Sequence, residues 1–218
     1  MTINNDDLIN SIIASLGRID NISVEEMPNI DLYMDQLTTF MDDRLKKTTR
    51  HPETDKILTK TMINNYAKND LLPPPVRKKY SKDHLILLIY IYYLKNILSI
   101  NDIQTLIEPL KARFHVSDDE LNLTKIYKIS YELQSECLEP VIEDLKKKYE
   151  RSLKTFEDDK LTDEEKKRMQ MFSFISLLSY DVYVKKLLIE KIIDNIIEED
   201  VASKQKAKDK GKDKKDKK

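Results

Sequence analysis

Glycine is nearly missing from this chain: its 218 residues contain two, Gly17 and Gly211. A phosphate-cradling loop or a dinucleotide fingerprint needs several positions where no Cβ keeps backbone amides away from phosphate, so kinase, nucleotidase and dehydrogenase sites of the usual kinds are excluded. One cysteine, Cys137, permits neither an internal disulfide nor a multi-thiolate metal centre, and a reducing compartment, the cytoplasm, is expected. The three histidines, His51, His84 and His115, have no metal-ligand spacing and read as surface or helix-end residues. The acidic pairs Asp42/Asp43, Asp118/Asp119 and Asp158/Asp159 fall at predicted helix ends or loops, where solvation and the helix dipole account for them. No nucleophile, base and orienting group can be assembled, so an enzyme, a cofactor and a bound metal are not expected. The opening MTINNDDLINSIIASLG lacks the basic start of a secretory signal. The longest apolar run, LILLIYIYYL from Leu85 to Leu94, has about half the length of a membrane span, so no membrane association is expected.

What is present favours helix. Leu, Ile, Lys and Glu abound, apolar residues recur at steps of three and four, and no run alternates with period two between turn signals. The expected fold is all-α, mainly helical, with short strands only. Leu32, Met34, Leu37, Phe40, Met41 and Leu45 mark a helix within residues 30–47. From Ile126 through Ile129, Leu133, Cys137, Val141 and Leu145 the spacing predicts an amphipathic helix, interrupted or kinked near Pro140, with Cys137 as a small buried residue. Thr162 with Glu165 offers a capping box for the helix carrying Met169, Phe172, Ile175 and Leu178, and Ser117 with Glu120 offers another. Residues 1–29 read as an N-terminal helical extension and 117–200 as a helical domain for dimerisation or for sensing a small-molecule or protein effector. Residues 203–218 hold nine Lys and three Asp with no large apolar side chain, so nothing offsets the entropy of ordering them and a disordered tail is expected.

Charge is distributed unevenly. The net charge is −1, yet residues 56–82 carry Lys56, Lys60, Lys68, Arg77, Lys78, Lys79 and Lys82 against Asp70 alone. A basic window in an otherwise acidic chain fits a polyanion, although such a run also suits a merely solvated face. Within it, LTKTMINNYAKN reads as a short helix capped by Thr59 or Thr61, with Met62, Ile63 and Tyr66 inward and Lys60, Asn64, Asn65 and Lys68 outward. Asparagine amides pair with an adenine edge, and lysines reach guanine or phosphate. Leu71 and Leu72 anchor the turn below. Pro73, Pro74 and Pro75 then stiffen the chain and present Arg77, Lys78 and Lys79 as a small basic wing, with Tyr80 either packed beneath it or bonded to phosphate. Ser81 is the expected cap of the helix that follows.

The succession MINNYAKNDLLPP, KKYSKDHLILLIYI and LSINDI resembles the winged helix-turn-helix of the MerR family of transcription regulators over roughly residues 56–107. In that likeness Asn64 takes the place of a DNA-contacting arginine, Tyr66 that of the recognition-helix tyrosine and Lys78 that of the wing arginine. Leu71, Leu72 and Pro74 fall on the turn, Tyr80 and Ser81 on the next helix start, and Ser99, Ile100 and Ile103 on the last short helix. Asp70 and Ile97 stand where the family has glycines, and the wing is shorter. The stretch from LTTFMDDRL through KKYSKDHL resembles more closely a bacterial family known only as a domain of unknown function, itself considered MerR-like. The resemblance implies a winged helix-turn-helix DNA-binding domain over residues 30–110, with a long connection, TTRHPETDKI, between its first two helices.

Two functions of different classes follow as expectations. The first is a sequence-specific regulator of transcription that binds double-stranded DNA as a homodimer through Lys60, Thr61, Asn64, Asn65, Tyr66, Lys68, Arg77, Lys78, Lys79 and Tyr80. The second is a helical protein-interaction module on the same scaffold without DNA contact, which an exposed apolar face on residues 124–150 would favour.

Overall fold

The apolar run LILLIYIYYL lies at the centre of the molecule. In the computed structural model, which describes residues 5–16, 22–117, 120–157 and 160–213, it forms most of α4 (Lys82–Leu94), buried continuously from His84 to Ile89 and again at Ile91 and Tyr92. A helix apolar around its whole circumference must be enclosed. It is enclosed by β1 (Leu32–Tyr33), α2 (Met34–Leu45), α3 (Lys60–Lys68), β2 (Lys79–Tyr80), α5 (Ile100–Lys111) and the start of α6 (Leu123–Leu153), whose inward Leu37, Met41, Ile63, Tyr66, Ile103, Ile107 and Tyr127 join one core. The strands pair antiparallel, Leu32 opposite Tyr80 and Tyr33 opposite Lys79, and are the only sheet among the described residues. With seven α-helices described, the expectation of a mainly helical fold holds.

The connection between α2 and α3 is long but fastened. Ile57 and Leu58 are buried, the Lys95 ammonium donates to the Ile57 carbonyl at 3.0 Å, and the hydroxyls of Thr48 and Tyr92 share a hydrogen bond of 2.6 Å. At the far side of the core, the Tyr127 hydroxyl donates to the Ile22 carbonyl at 2.5 Å, joining the chain entering the core to the helix leaving it.

The last two helices form an antiparallel hairpin. α7 (Asp163–Asp213) opens on the expected Thr162/Glu165 capping box and returns along α6. Tyr149 meets Phe174 edge-on at 5.2 Å, Gln170 donates to the Leu153 carbonyl at 2.6 Å, and Lys148 pairs with Asp181 at 3.0 Å. Ile9 and Ile13 of α1 (Asn5–Leu16) close a second small core with Tyr149 and Phe174.

Several expectations differ from the structure. α6 begins under Asn122, whose Oδ1 accepts from the Lys125 amide at 2.9 Å, rather than at Ser117, and it passes through Pro140 without a break. Proline removes one amide donor, and the solvent-exposed turn around Pro140 lets water satisfy the carbonyl left behind. Cys137 is exposed, as are Ile129, Leu133 and Val141, because the core contact of α6 runs instead through Leu123, Tyr127, Tyr149 and Ser152. Residues 203–213, where disorder is expected, continue α7 as helix, since alanine, glutamine and lysine extend a helix readily once it is nucleated. The remainder of that tail, 214–218, and Asp118, Asp119, Asp158 and Asp159 lie outside the described residues.

Candidate nucleic-acid interface

α3 is built as its sequence suggests, with one exchange. Thr59 caps it, its hydroxyl accepting from the Met62 amide at 3.2 Å. Ile63 and Tyr66 face the core, whereas Met62, expected inward, is exposed together with Lys60, Thr61, Asn64, Asn65 and Lys68. The helix ends where Asp70 turns to φ 56°, and the Leu71 amide reaches back to the Tyr66 carbonyl at 2.9 Å. This is the left-handed terminus that glycine normally supplies, occupied here by a residue whose short polar side chain tolerates it. Leu71 and Leu72 are buried beneath it. Lys111 of α5 clamps the same corner, its ammonium 2.8 Å from both the carbonyl and a carboxylate oxygen of Asp70 and 2.7 Å from Glu108. Burial pulls the Lys111 ammonium down, and the hydrogen bonds and charges of Asp70 and Glu108 outweigh this, so its pKa stands above the ordinary lysine value.

After the three prolines the chain makes a two-residue hairpin. The Val76 amide bonds to the Lys79 carbonyl at 3.1 Å and the Lys79 amide to the Val76 carbonyl at 2.9 Å. Arg77 and Lys78 form the tip at φ 50° and 64°. A hairpin of this length favours positive φ at both central positions, which is why Asn-Gly is the usual occupant. Two long cationic side chains are therefore held in left-handed backbone, at about 1 kcal/mol or more each. Arg77 and Lys78 are exposed, and no ion pair among the described residues engages them or Lys68.

The start of α2 joins the two parts. Lys79 lies with its ammonium 5.2 Å from the centre of the Tyr33 ring, and Lys60 pairs with the Asp35 carboxylate, so the first turn of α3 and the base of the hairpin meet the same three-residue stretch. The structure thus brings Lys60 and Lys79 to one corner. Tyr66, read as inward although also named for the interface, and Tyr80, read as either packed beneath the wing or bonded to phosphate, both face the core, and burial raises the pKa of both hydroxyls. A tyrosine one or two turns from a basic residue is apolar enough to pack, and here packing decides. Tyr33, Asp35 and Lys111 escape sequence reasoning because their roles depend on tertiary contacts; the alternation of Leu32 and Tyr33, one buried and one exposed, is the only local signal.

His84 lies at a helix end as expected, in the first turn of α4 below the hairpin, but is fully buried rather than at the surface. Its Nδ1 accepts from the Ser81 amide at 2.9 Å, which places the proton of the neutral ring on Nε2. The ring meets Tyr80 and Phe114 edge-on at 5.3 and 4.7 Å. Burial holds its pKa below the ordinary value; the carbonyls of Pro74 and Pro73 oppose this without making a well-aligned bond to Nε2, which has no partner among the described residues. Among those residues no group of His, Cys, Asp and Glu side chains could hold a metal ion, and no helix is long and apolar enough to cross a membrane.

Fold and surface define a mainly helical protein whose first half carries a basic two-residue hairpin beside a short, polar-faced helix. Residues 22–130, half of the chain, match a family described as a domain of unknown function (DUF1836), and the chain belongs to that family. The matched stretch opens on Ile22, the residue whose carbonyl Tyr127 holds, so it spans the main core. No curated protein and no solved structure matches the chain.

Proposed function

We propose that residues 30–110 form a MerR-like winged helix-turn-helix that reads double-stranded DNA and that the protein regulates transcription as a homodimer. The observation that carries this reading is the hairpin tip, where two unpaired cations occupy strained backbone. Folding alone gains nothing from arginine and lysine at positions where asparagine and glycine fit better, and strain of this kind is kept where a ligand uses it. Phosphate is a ligand that Arg77 and Lys78 suit, one by a planar fork and the other as a point charge. The succession of strand, helix, helix, hairpin and two further helices also supports the reading, since a winged reader needs that order. α3 then enters the major groove with Thr61, Asn64 and Asn65 against base edges and Lys68 near the backbone, while Lys60 exchanges Asp35 for phosphate. Surface ion pairs are worth little, so that exchange is easy.

Binding of the full chain to random-sequence duplexes across a salt series tests this. Each phosphate neutralised contributes about 0.9 to the logarithmic salt slope, so Arg77→Gln with Lys78→Gln should lower the slope by about 2 and weaken all sequences alike. An unchanged slope would remove the hairpin from the interface.

A second reading has its own observation. Ile129, Leu133 and Val141 line one face of α6 and are exposed, which suits a protein-interaction module. Absence of any salt-sensitive duplex binding would select it.

A further inference from the structure

The connection between α2 and α3 is longer than joining two helices requires. A turn of about three or four residues suffices in a helix-turn-helix, and here residues 46–59 intervene. The segment is held by its own bonds. The Thr49 hydroxyl donates to the Lys46 carbonyl at 2.8 Å, the Asp55 amide to the His51 carbonyl at 2.8 Å, and the His51 amide to the Asp55 carboxylate at 2.9 Å. Ile57 and Leu58 are buried, and Tyr92 and Lys95 fasten the two ends of the segment to the end of α4. What this fixed segment displays is cationic. Lys47, Arg50 and Lys56 are exposed, and no ion pair among the described residues engages them. Of the two acids in the segment, Asp55 is half-buried with its carboxylate taken by the His51 amide, which leaves Glu53 as the exposed one.

These cations and the hairpin bracket α3. The connection runs directly into the Thr59 cap at one end, and at the other the three prolines and the hairpin follow Leu71 and Leu72. The nine residues of α3 span about 14 Å, and the major groove is about 12 Å wide. Seated across the groove, a helix of this length brings each of its ends to a different phosphate backbone. The hairpin supplies free cations at one end only. At the other, Lys60 is paired with Asp35, and the free charge is that of the connection. We infer that the α2–α3 connection is a second phosphate-binding element, in which Lys47, Arg50 and Lys56 hold phosphates of duplex DNA at the end of α3 away from the hairpin. The inference rests on the DNA reading proposed above and adds what fixes its register, since phosphate contacts at both ends of a helix set its position in the groove. The hydrogen bonds within the segment hold these side chains in place before binding, which lowers the entropy lost on contact.

Salt series on random-sequence duplexes, run on the full chain and its variants, test this. Lys47→Gln, Arg50→Gln and Lys56→Gln together should lower the logarithmic salt slope by about 2–3, at about 0.9 for each phosphate released, and weaken binding at near-physiological salt about tenfold or more. The two elements hold different phosphates, so this loss should add to the loss of about 2 expected from the Arg77→Gln, Lys78→Gln pair. Three exposed lysines towards the far end of the α6–α7 hairpin provide a control of equal charge: Lys146→Gln, Lys154→Gln and Lys167→Gln together should leave the slope nearly unchanged. Every substituted side chain is exposed, and retained helicity and Tm identify folded variants. A parent chain whose duplex binding ignores salt overturns the DNA reading and this inference together. A parent that binds with a salt dependence reduced by the hairpin pair but not by the connection triple overturns this inference alone, as does a control triple that lowers the slope as far as the connection triple.

Discussion

Arg77 and Lys78 are the residues at which stability and the proposed function pull apart. Their positive φ angles suit Asn-Gly. Replacing them by Arg77→Asn and Lys78→Gly should therefore stabilise the fold by about 1–2 kcal/mol, read as a rise of several degrees in Tm, while weakening duplex binding about tenfold. A variant that loses stability would mean the hairpin is held for another reason. His84 makes a different prediction. Its pKa in the folded chain lies below the ordinary 6.5 because the ring is buried, so the unfolded chain takes up the proton first as pH falls. The contribution of the neutral ring is then complete above about pH 6.5 and is lost progressively below it. Protonation of Nδ1 also ends its acceptance from the Ser81 amide, while Asp83 and His115, the nearest charged groups, act in opposite directions. Thermal melts from pH 7.5 to 5 should show Tm falling, and His84→Gln should flatten that dependence.

At the scale of elements, the position of α3 depends on its C-terminal corner. Lys111 holds Asp70 through two hydrogen bonds, one to the backbone carbonyl. Lys111→Met should destabilise the fold by about 1 kcal/mol, since Asp70 itself is largely exposed, and should loosen duplex binding although Lys111 contacts no DNA; unchanged binding would show that the corner does not orient α3. Elements with strong local signals were legible in the sequence: Thr59 and Ser81 as caps, Leu71 and Leu72 as buried turn residues, and the Thr162/Glu165 box. Legibility failed where tertiary contact decides which of two apolar faces is buried. Along α6 the stripe through Ile129 and Cys137 has the right spacing for a core and remains exposed, because the hairpin partner and the main core lie elsewhere. Tyr66 was legible as an inward residue, whereas Tyr80 could serve core or phosphate and its neighbours chose the core. Strain at Arg77 and Lys78 had no sequence signal, since the residues that mark such a hairpin are absent.

For the whole molecule, the basic and the apolar surfaces lie on different parts of the fold. The basic hairpin and α3 lie on a body built around α4, while the long α6–α7 hairpin carries exposed apolar side chains on its outer face. In the proposed homodimer two copies of α3 are related by a two-fold axis, and a recognised site should show the same symmetry. Asn64→Ala or Asn65→Ala should then change preference at one position in each half-site and leave nonspecific binding nearly unaltered. The most direct measurement is selection of the full chain, and of a chain ending at residue 202, on random duplex DNA at near-physiological salt, with sequencing of the bound fraction. Enrichment of one inverted-repeat site by both chains is the expected result. Bound DNA without sequence enrichment, lost when residues 203–218 are removed, would contradict the reading and reduce the interaction to the charge of the lysine-rich end.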